Sequence, residues 1–384
     1  MIKSFFVIYF FVKYFIILHL KVEQYFAKHK SLAPFLDKIY FFNVYSSPWF
    51  SAIYILLFIS LIGCVLPRTI KHVKSIIKRK PTKKGYLYET GNLAFHLSLI
   101  LILVGIALGS LFGMKGQAII NVGDRFVNSA TSYDSLGFGK FASEKSLAPF
   151  ALTVSNFAAK YDPKTSAPLD YKLDVDISYP IDSKSVHKII KVNSPLTYGN
   201  TKIYLQANGY SPMVIIRDPN GKVEFEGAIP FLPQDGNLTS SGAIKLPDIK
   251  PQLGIIATFT PTFEMSKTRG AISSFPEVLD PRLVFSIWSG NLGLDSGVPQ
   301  SVYRVDTSKM KRIAMKSLKV GDTYNFNDGS ITFVGWKPWV NIEVGRDPGK
   351  LITLVGAIFA VMGLLASLLI GRKESEYKEE ELKS

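Results

Sequence analysis

Two side chains with usable chemistry fall inside apolar runs. His96 lies in GNLAFHLSLILILVGIALGSLFG, and Cys64 lies in SAIYILLFISLIGCVLPR. An ionisable residue inside a membrane carries a functional hypothesis by default, because an imidazole in hydrocarbon must find a partner. Imidazole is also a standard axial ligand of haem iron, and its neutral form avoids burying charge. The plain alternative for His96 is a structural histidine bonding a helix carbonyl. Cys64 is the single cysteine. Its plain alternative is a small hydrophobe, the usual role of a free cysteine in an apolar helix. Gly105, Gly109 and Gly113 follow His96 at four-residue spacing. Such a ladder lets a second helix approach closely.

Other chemistry is missing from the sequence. One cysteine cannot form an intrachain disulfide or a dithiol pair. No P-loop, G-x-G-x-x-G after a strand, G-x-S-x-G or H-E-x-x-H is present. Between residues 115 and 349 the only histidine is His187, and one histidine does not make a zinc site. No metal site is expected beyond a haem iron.

The elements around these residues are membrane spans. From Ile39 to Pro67 there is no charged residue. The run 48–66 is almost wholly apolar, and at about 1.5 Å per residue it matches a bilayer core of about 30 Å. Residues 90–114 and 350–371 repeat the pattern. The stretch 1–20 is apolar and aromatic but interrupted by Lys13 and His19, and reads as a first span or signal anchor. The expectation is about four transmembrane α-helices, with 21–47 as an extracytoplasmic linker.

Charge then sets the orientation. Residues 67–89 hold Arg68, Lys71, Lys74, Lys78, Arg79, Lys80, Lys83 and Lys84. Short basic loops stay in the cytoplasm, so this loop and the tail 372–384 are expected inside, with 115–349 outside. On that reading His96 sits about four residues, or roughly 6 Å, past the inner membrane edge. Trp49, Tyr86, Tyr88, Trp336 and Trp339 lie near the span ends, as an interfacial aromatic belt would.

The segment 115–349 reads as all-β and sandwich-like. In YKLDVDISY (171–179) Tyr171, Leu173, Val175, Ile177 and Tyr179 alternate with polar residues, the period of a half-buried strand. MVIIRDPNGKVEFEG (213–227) predicts a hairpin turning at Asp218–Gly221, and YNFNDGSITFVGW (324–336) another at Asn327–Gly329.

The totals agree. The chain has 384 residues, 47% of them hydrophobic, and a net charge of +15. That hydrophobic content excludes a disordered chain. The mean hydropathy of +0.18 reflects the spans. A basic excess concentrated beside a span is explained by topology and by attraction to anionic lipid, so nucleic acid is not expected as a partner.

Several segments together carry a family resemblance. They are KVEQYFAKHKSLAPFLDKIYFFNVYSSPWFSAIYILLFISLIGCVLPR, GNLAFHLSLILILVGIALGSLFGMKGQ, PFLPQDGNLTS, FSIWSGNLGLDSGVPQSVYRVDTS and RDPGKLITLVGAIFAVMGLLASL. Over residues 21–373 the chain resembles the ResB (CcsB) family of cytochrome c biogenesis proteins, in its actinobacterial version. The resemblance implies four spans with the large extracytoplasmic domain between the third and fourth. It implies a place in the bacterial plasma membrane, in system II cytochrome c maturation. There it implies a non-autonomous subunit of a haem-lyase (synthetase) complex, with no catalytic residue of its own.

The implied partners are a ResC (CcsA)-type polytopic haem-handling subunit, apocytochrome c and thiol-reducing factors. The implied cofactor is haem b, held transiently and shared with the partner. His96 matches the family's third-span histidine, a proposed haem ligand at the inner side, by its place in GNLAFHLS. Cys64 stands as a second cofactor-binding candidate. The alternative class is a membrane-anchored β-rich receptor or binding module without a cofactor. Three or four spans count against it, since anchoring needs one.

Overall fold

The structure is a computed structural model and describes residues 25–26, 29, 31–42, 44–78, 86–294 and 305–383. The expected first span over 1–20 lies outside the described residues, as do residues 79–85 of the basic segment. The chain divides into a helical unit, up to Ala107 and from Gly349 onward, and a β unit, Leu108–Pro348.

The helical unit holds α1 (Leu32–Lys38), α2 (Pro48–Ile77), most of α3 (Tyr86–Phe112) and α4 (Lys350–Lys383). Among the described residues three helices are long and apolar enough to cross a membrane: Pro48–Ile77, Tyr88–Phe112 and Lys350–Leu369. The start of α2 follows from the sequence. Ser47 is its N-cap, its hydroxyl accepting from Phe50 N at 3.1 Å, and Pro48 occupies the first turn. Proline lacks an N–H that would be unbonded there anyway. The helix runs past the expected 48–66, through Pro67 to Ile77. Arg68, Lys71 and Lys74 are therefore helical, and the expected basic loop over 67–89 shortens to the stretch between α2 and α3. Lysine and arginine are good helix formers, so charge alone does not end a helix.

The β unit is built on one seven-stranded sheet. In it β1 (Met114–Asn121) lies between β3 (Ser135–Phe138) and β18 (Gly329–Arg346). β18 pairs with β8 (Thr201–Arg217), and β7 (Leu196–Tyr198) closes that side. β9 (Val223–Ala228) pairs with β8, and β17 (Thr323–Phe326) with β18. A four-stranded sheet orders β2 (Arg125–Val127), β4 (Ala151–Tyr161), β5 (Pro168–Ser178) and β6 (Val186–Lys191). A five-stranded sheet orders β10 (Leu232–Pro233), β11 (Ser240–Leu246), β12 (Leu253–Thr260), β15 (Arg282–Gly290) and β16 (Met310–Leu318). β13 (Phe263–Ser266) and β14 (Gly270–Ser273) form a separate hairpin.

Two cores result. One packs Val214, Ile216, Ile331 and Phe333 of the shared sheet against Ile255, Phe259, Phe285 and Ile287 of the five-stranded sheet. The other packs Ala118, Ile203, Val340, Ile342 and Val344 against Leu152, Val154, Leu173, Val175 and Ile177 of the four-stranded sheet. β8 and β18 serve both. In β18 the core positions are odd-numbered before the register shift at Phe333/Gly335 and even-numbered after it. A β-bulge adds one residue and so moves the alternation to the other parity. Both predicted hairpins are present: Gly221 N donates to Asp218 O at 3.0 Å, and Phe326 pairs with Gly329.

One expectation is overturned. Trp339 is 2% exposed inside the β unit, not at a membrane interface. Its indole N–H lies 3.2 Å from Tyr210 O and 3.0 Å from Phe231 O. Trp336 packs edge-on against Tyr210, with centroids 5.3 Å apart. The indoles are spent on core packing and buried carbonyls, so the belt pattern at that end of the sequence was coincidental. Trp49 on α2 is exposed, and its Nε1 donates to Ile39 O at 3.0 Å.

Candidate functional site

Within the helical unit α2 and α3 run antiparallel. Tyr54 Oη donates to Leu103 O at 2.6 Å, and His72 Nε2 lies 2.9 Å from Thr90 Oγ1. Arg68 and Glu89 approach to 4.0 Å with both side chains about half exposed, a contact that contributes little. Glu89, His96 and Leu103 are seven residues apart, so they share one stripe of α3. The outer two of the three meet α2.

His96 Nδ1 lies 2.8 Å from Asn92 O, one turn back on its own helix. A carbonyl only accepts, so Nδ1 carries the proton. In the neutral ring Nε2 then keeps its lone pair. The Phe95 ring stands edge-on to the imidazole, with centroids 5.3 Å apart. Histidines that bind metals are commonly oriented in this way, one ring nitrogen tied to a carbonyl and the other offered.

Cys64 is an exposed free thiol on α2, and no hydrogen bond joins it to His96. The Tyr54–Leu103 and His72–Thr90 contacts fall on either side of Cys64 in α2 and of His96 in α3.

The glycines separate into different roles. A Cβ on Gly105 would stand 2.7 Å from Thr353 N of α4, so Gly105 belongs to an α3–α4 seam. Gly91 belongs there too, 2.7 Å from Ser367 N, and so does Gly363, 2.6 Å from Phe95 N. A Cβ on Gly109 would meet Asp347 Oδ1 at 2.6 Å. Gly113 lies past the end of α3, and its N–H bonds Gly109 O at 2.8 Å. A Cβ on Gly356 would meet Ser98 O at 3.1 Å, so the seam follows a seven-residue beat through Gly91, Ser98 and Gly105. Sequence reasoning missed Gly91 by reading the four-residue ladder alone.

In the β unit His187 is bracketed by carboxylates. Its Nδ1 lies 3.1 Å from Asp176 Oδ1 and its Nε2 3.4 Å from Asp174 Oδ1. The Lys172 ammonium, 2.9 Å away, holds the Asp174 carboxyl below the usual carboxylate range; burial opposes it, and Asn156 and His187 add to it. The bracketing arises from register, since Asp176 pairs with His187 across β5 and β6. Among the described residues no cluster of His, Cys, Asp and Glu is fit to hold a bare metal ion. A single offered imidazole suits instead a metal whose other ligands come from elsewhere, such as the macrocycle of a porphyrin.

The described residues thus combine a β unit with helices long and apolar enough to cross a membrane, one of which carries an oriented imidazole. The comparison with family models is specific: the ResB-like family matches residues 17–84 and 82–374, and the chain belongs to that family. It is 25% identical over 301 residues to the "Cytochrome c biogenesis protein CcsB" of Gloeobacter violaceus, covering 72% of this chain. The chain spans about 60% of the length of that curated relative.

Proposed function

We propose that the chain is a subunit of a membrane complex that delivers haem and ligates it to c-type cytochromes. His96 supplies one axial ligand at the cytoplasmic side of the bacterial plasma membrane. The second ligand comes from a ResC (CcsA)-type polytopic partner. Haem is cargo here, bound transiently as haem b. The β unit stands on the outer side and presents apocytochrome c. It contains no cysteine, so the thiols that take up haem belong to the client and are kept reduced by separate factors. Cys64 is a neighbouring candidate contact on the same side.

The observation that carries this reading is the 2.8 Å bond from His96 Nδ1 to Asn92 O. It fixes the ring and leaves the Nε2 lone pair to be offered to iron. Family membership supports the pathway, and the offered nitrogen supports the role within it.

The test is the visible spectrum of the full chain purified with its polytopic partner. A Soret band that weakens in His96→Ala and returns with added imidazole supports ligation. An unchanged spectrum with intact cytochrome c maturation makes His96 structural. If no haem co-purifies and deletion leaves c-type cytochromes intact, the cofactor-free binding module is the better description.

A further inference from the structure

β16 is the edge of the five-stranded sheet and pairs with β15 alone among the described strands. Lys311, Arg312 and Ile313 are consecutive and all exposed, and so are Met315, Lys316 and Ser317. Consecutive residues point to opposite faces, so exposure of both marks a strand whose side is open. An open edge offers unbonded N–H and C=O groups to an extended chain.

The same edge carries uncompensated charge. Lys309, Lys311, Arg312, Lys316 and Lys319 fall within 307–321, which contains no acid. None of them is in a salt bridge among the described residues. The acids at its two ends are committed to turns: Asp306 accepts from Ser308 N and Asp322 from Lys319 N, both at 2.9 Å. The Arg312 guanidinium lies over Trp288 at 5.9 Å and the Lys316 ammonium over Tyr324 at 5.7 Å. Ile313 and Met315, 40% and 61% exposed, lie among these cations.

We propose that the open edge of β16 docks an extended, acidic segment of another polypeptide, which adds to the sheet as a further strand. The backbone edge selects an extended chain, and the cations select acid. The same cations repel a second copy of β16. An anionic lipid surface would satisfy the charges but leave the backbone groups unused. The proposal does not depend on haem binding.

The test uses the full chain in phosphatidylcholine nanodiscs and a labelled peptide of alternating Glu and Val, about six residues long, the usual length of a strand. Binding is read by fluorescence anisotropy. The expected result is salt-sensitive binding that falls about tenfold or more in the Lys311→Glu, Arg312→Glu, Lys316→Glu triple variant, as repulsion replaces attraction. A peptide of equal charge with proline at the central Val positions should also bind about tenfold more weakly to the unaltered chain, because proline lacks the N–H. Equal binding of the proline peptide, indifference to the triple reversal, or capture by phosphatidylglycerol vesicles but not by the peptide would each overturn the proposal. The thermal midpoint of the triple variant checks that it is folded, and the proline comparison needs no variant.

Discussion

Tyr54 on α2 donates its phenolic hydrogen to the backbone carbonyl of Leu103 on α3, 2.6 Å away. Together with the His72–Thr90 contact, this bond ties two apolar helices on either side of Cys64 and His96. In hydrocarbon the hydroxyl has no water to turn to, so the partner is retained.

Removing that hydroxyl tests the tie. Tyr54→Phe should lower the thermal stability of the helical unit by about 0.6 kcal/mol, the average for interhelical bonds in membranes, and by no more than about 1.7 kcal/mol. Hydrogen exchange in the β unit should be unaffected. Equal loss of protection in both units would show that the bond does not act locally.

The α3–α4 seam predicts a contrast between two glycines. Gly91→Ala places a methyl 2.7 Å from Ser367 N, where backbone must move, and should cost about 1–3 kcal/mol. Gly63→Ala meets nothing within 4 Å and should be neutral or slightly stabilising, because alanine is the better helix former. Thermal unfolding in detergent distinguishes them, and equal effects would remove the seam as an explanation.

Asp174 gives the β unit an acid limb. Its folded carboxyl is depressed, chiefly by the Lys172 hydrogen bond. The unfolded chain therefore binds the proton more readily. The stabilisation is complete above the unfolded value of about 3.9 and is lost as pH falls through the folded one. Asp174→Asn should cost about 1 kcal/mol near neutrality, the usual scale for such a bond. Melting curves of variant and parent should converge as the pH drops below about 3.9; a gap that persists would assign the loss to packing.

Trp339→Phe leaves the Phe231 carbonyl without its indole donor, while Tyr210 O still accepts from Phe231 N at 3.2 Å. A buried acceptor left unbonded costs about 1–3 kcal/mol. Gly209, whose Cβ would stand 2.6 Å from Trp339 Cε2, packs directly on that ring. Exchange of amides around Gly209 should therefore speed up in the variant, and unchanged exchange would contradict the role given to the indole.

The sequence was legible where the physics is local. Charge-free runs gave three of the helices, alternation gave β5, and Asp-Pro-Asn-Gly and Asn-Asp-Gly gave two turns. It was opaque where structure depends on partners distant in the chain. β8 and β18 could not be read as strands of 17 and 18 residues, because bulges change the parity that faces the core. The same limit placed Trp339 at an interface and left His187 as an isolated side chain, since its two carboxylates arrive only through cross-strand register. His96 was found from its type and surroundings. The free Nε2 was not, because it depends on which ring nitrogen the Asn92 carbonyl engages.

β1 pairs with β18 from Met114↔Arg346 to Asn121↔Trp339. The strand that opens the β unit therefore waits for the one that closes it. About 230 residues separate them, which at roughly 5–20 residues per second is some tens of seconds of synthesis. Throughout that interval β1 has β3 within reach but not β18, so the second side of β1 closes only when the last strand of the unit has been made.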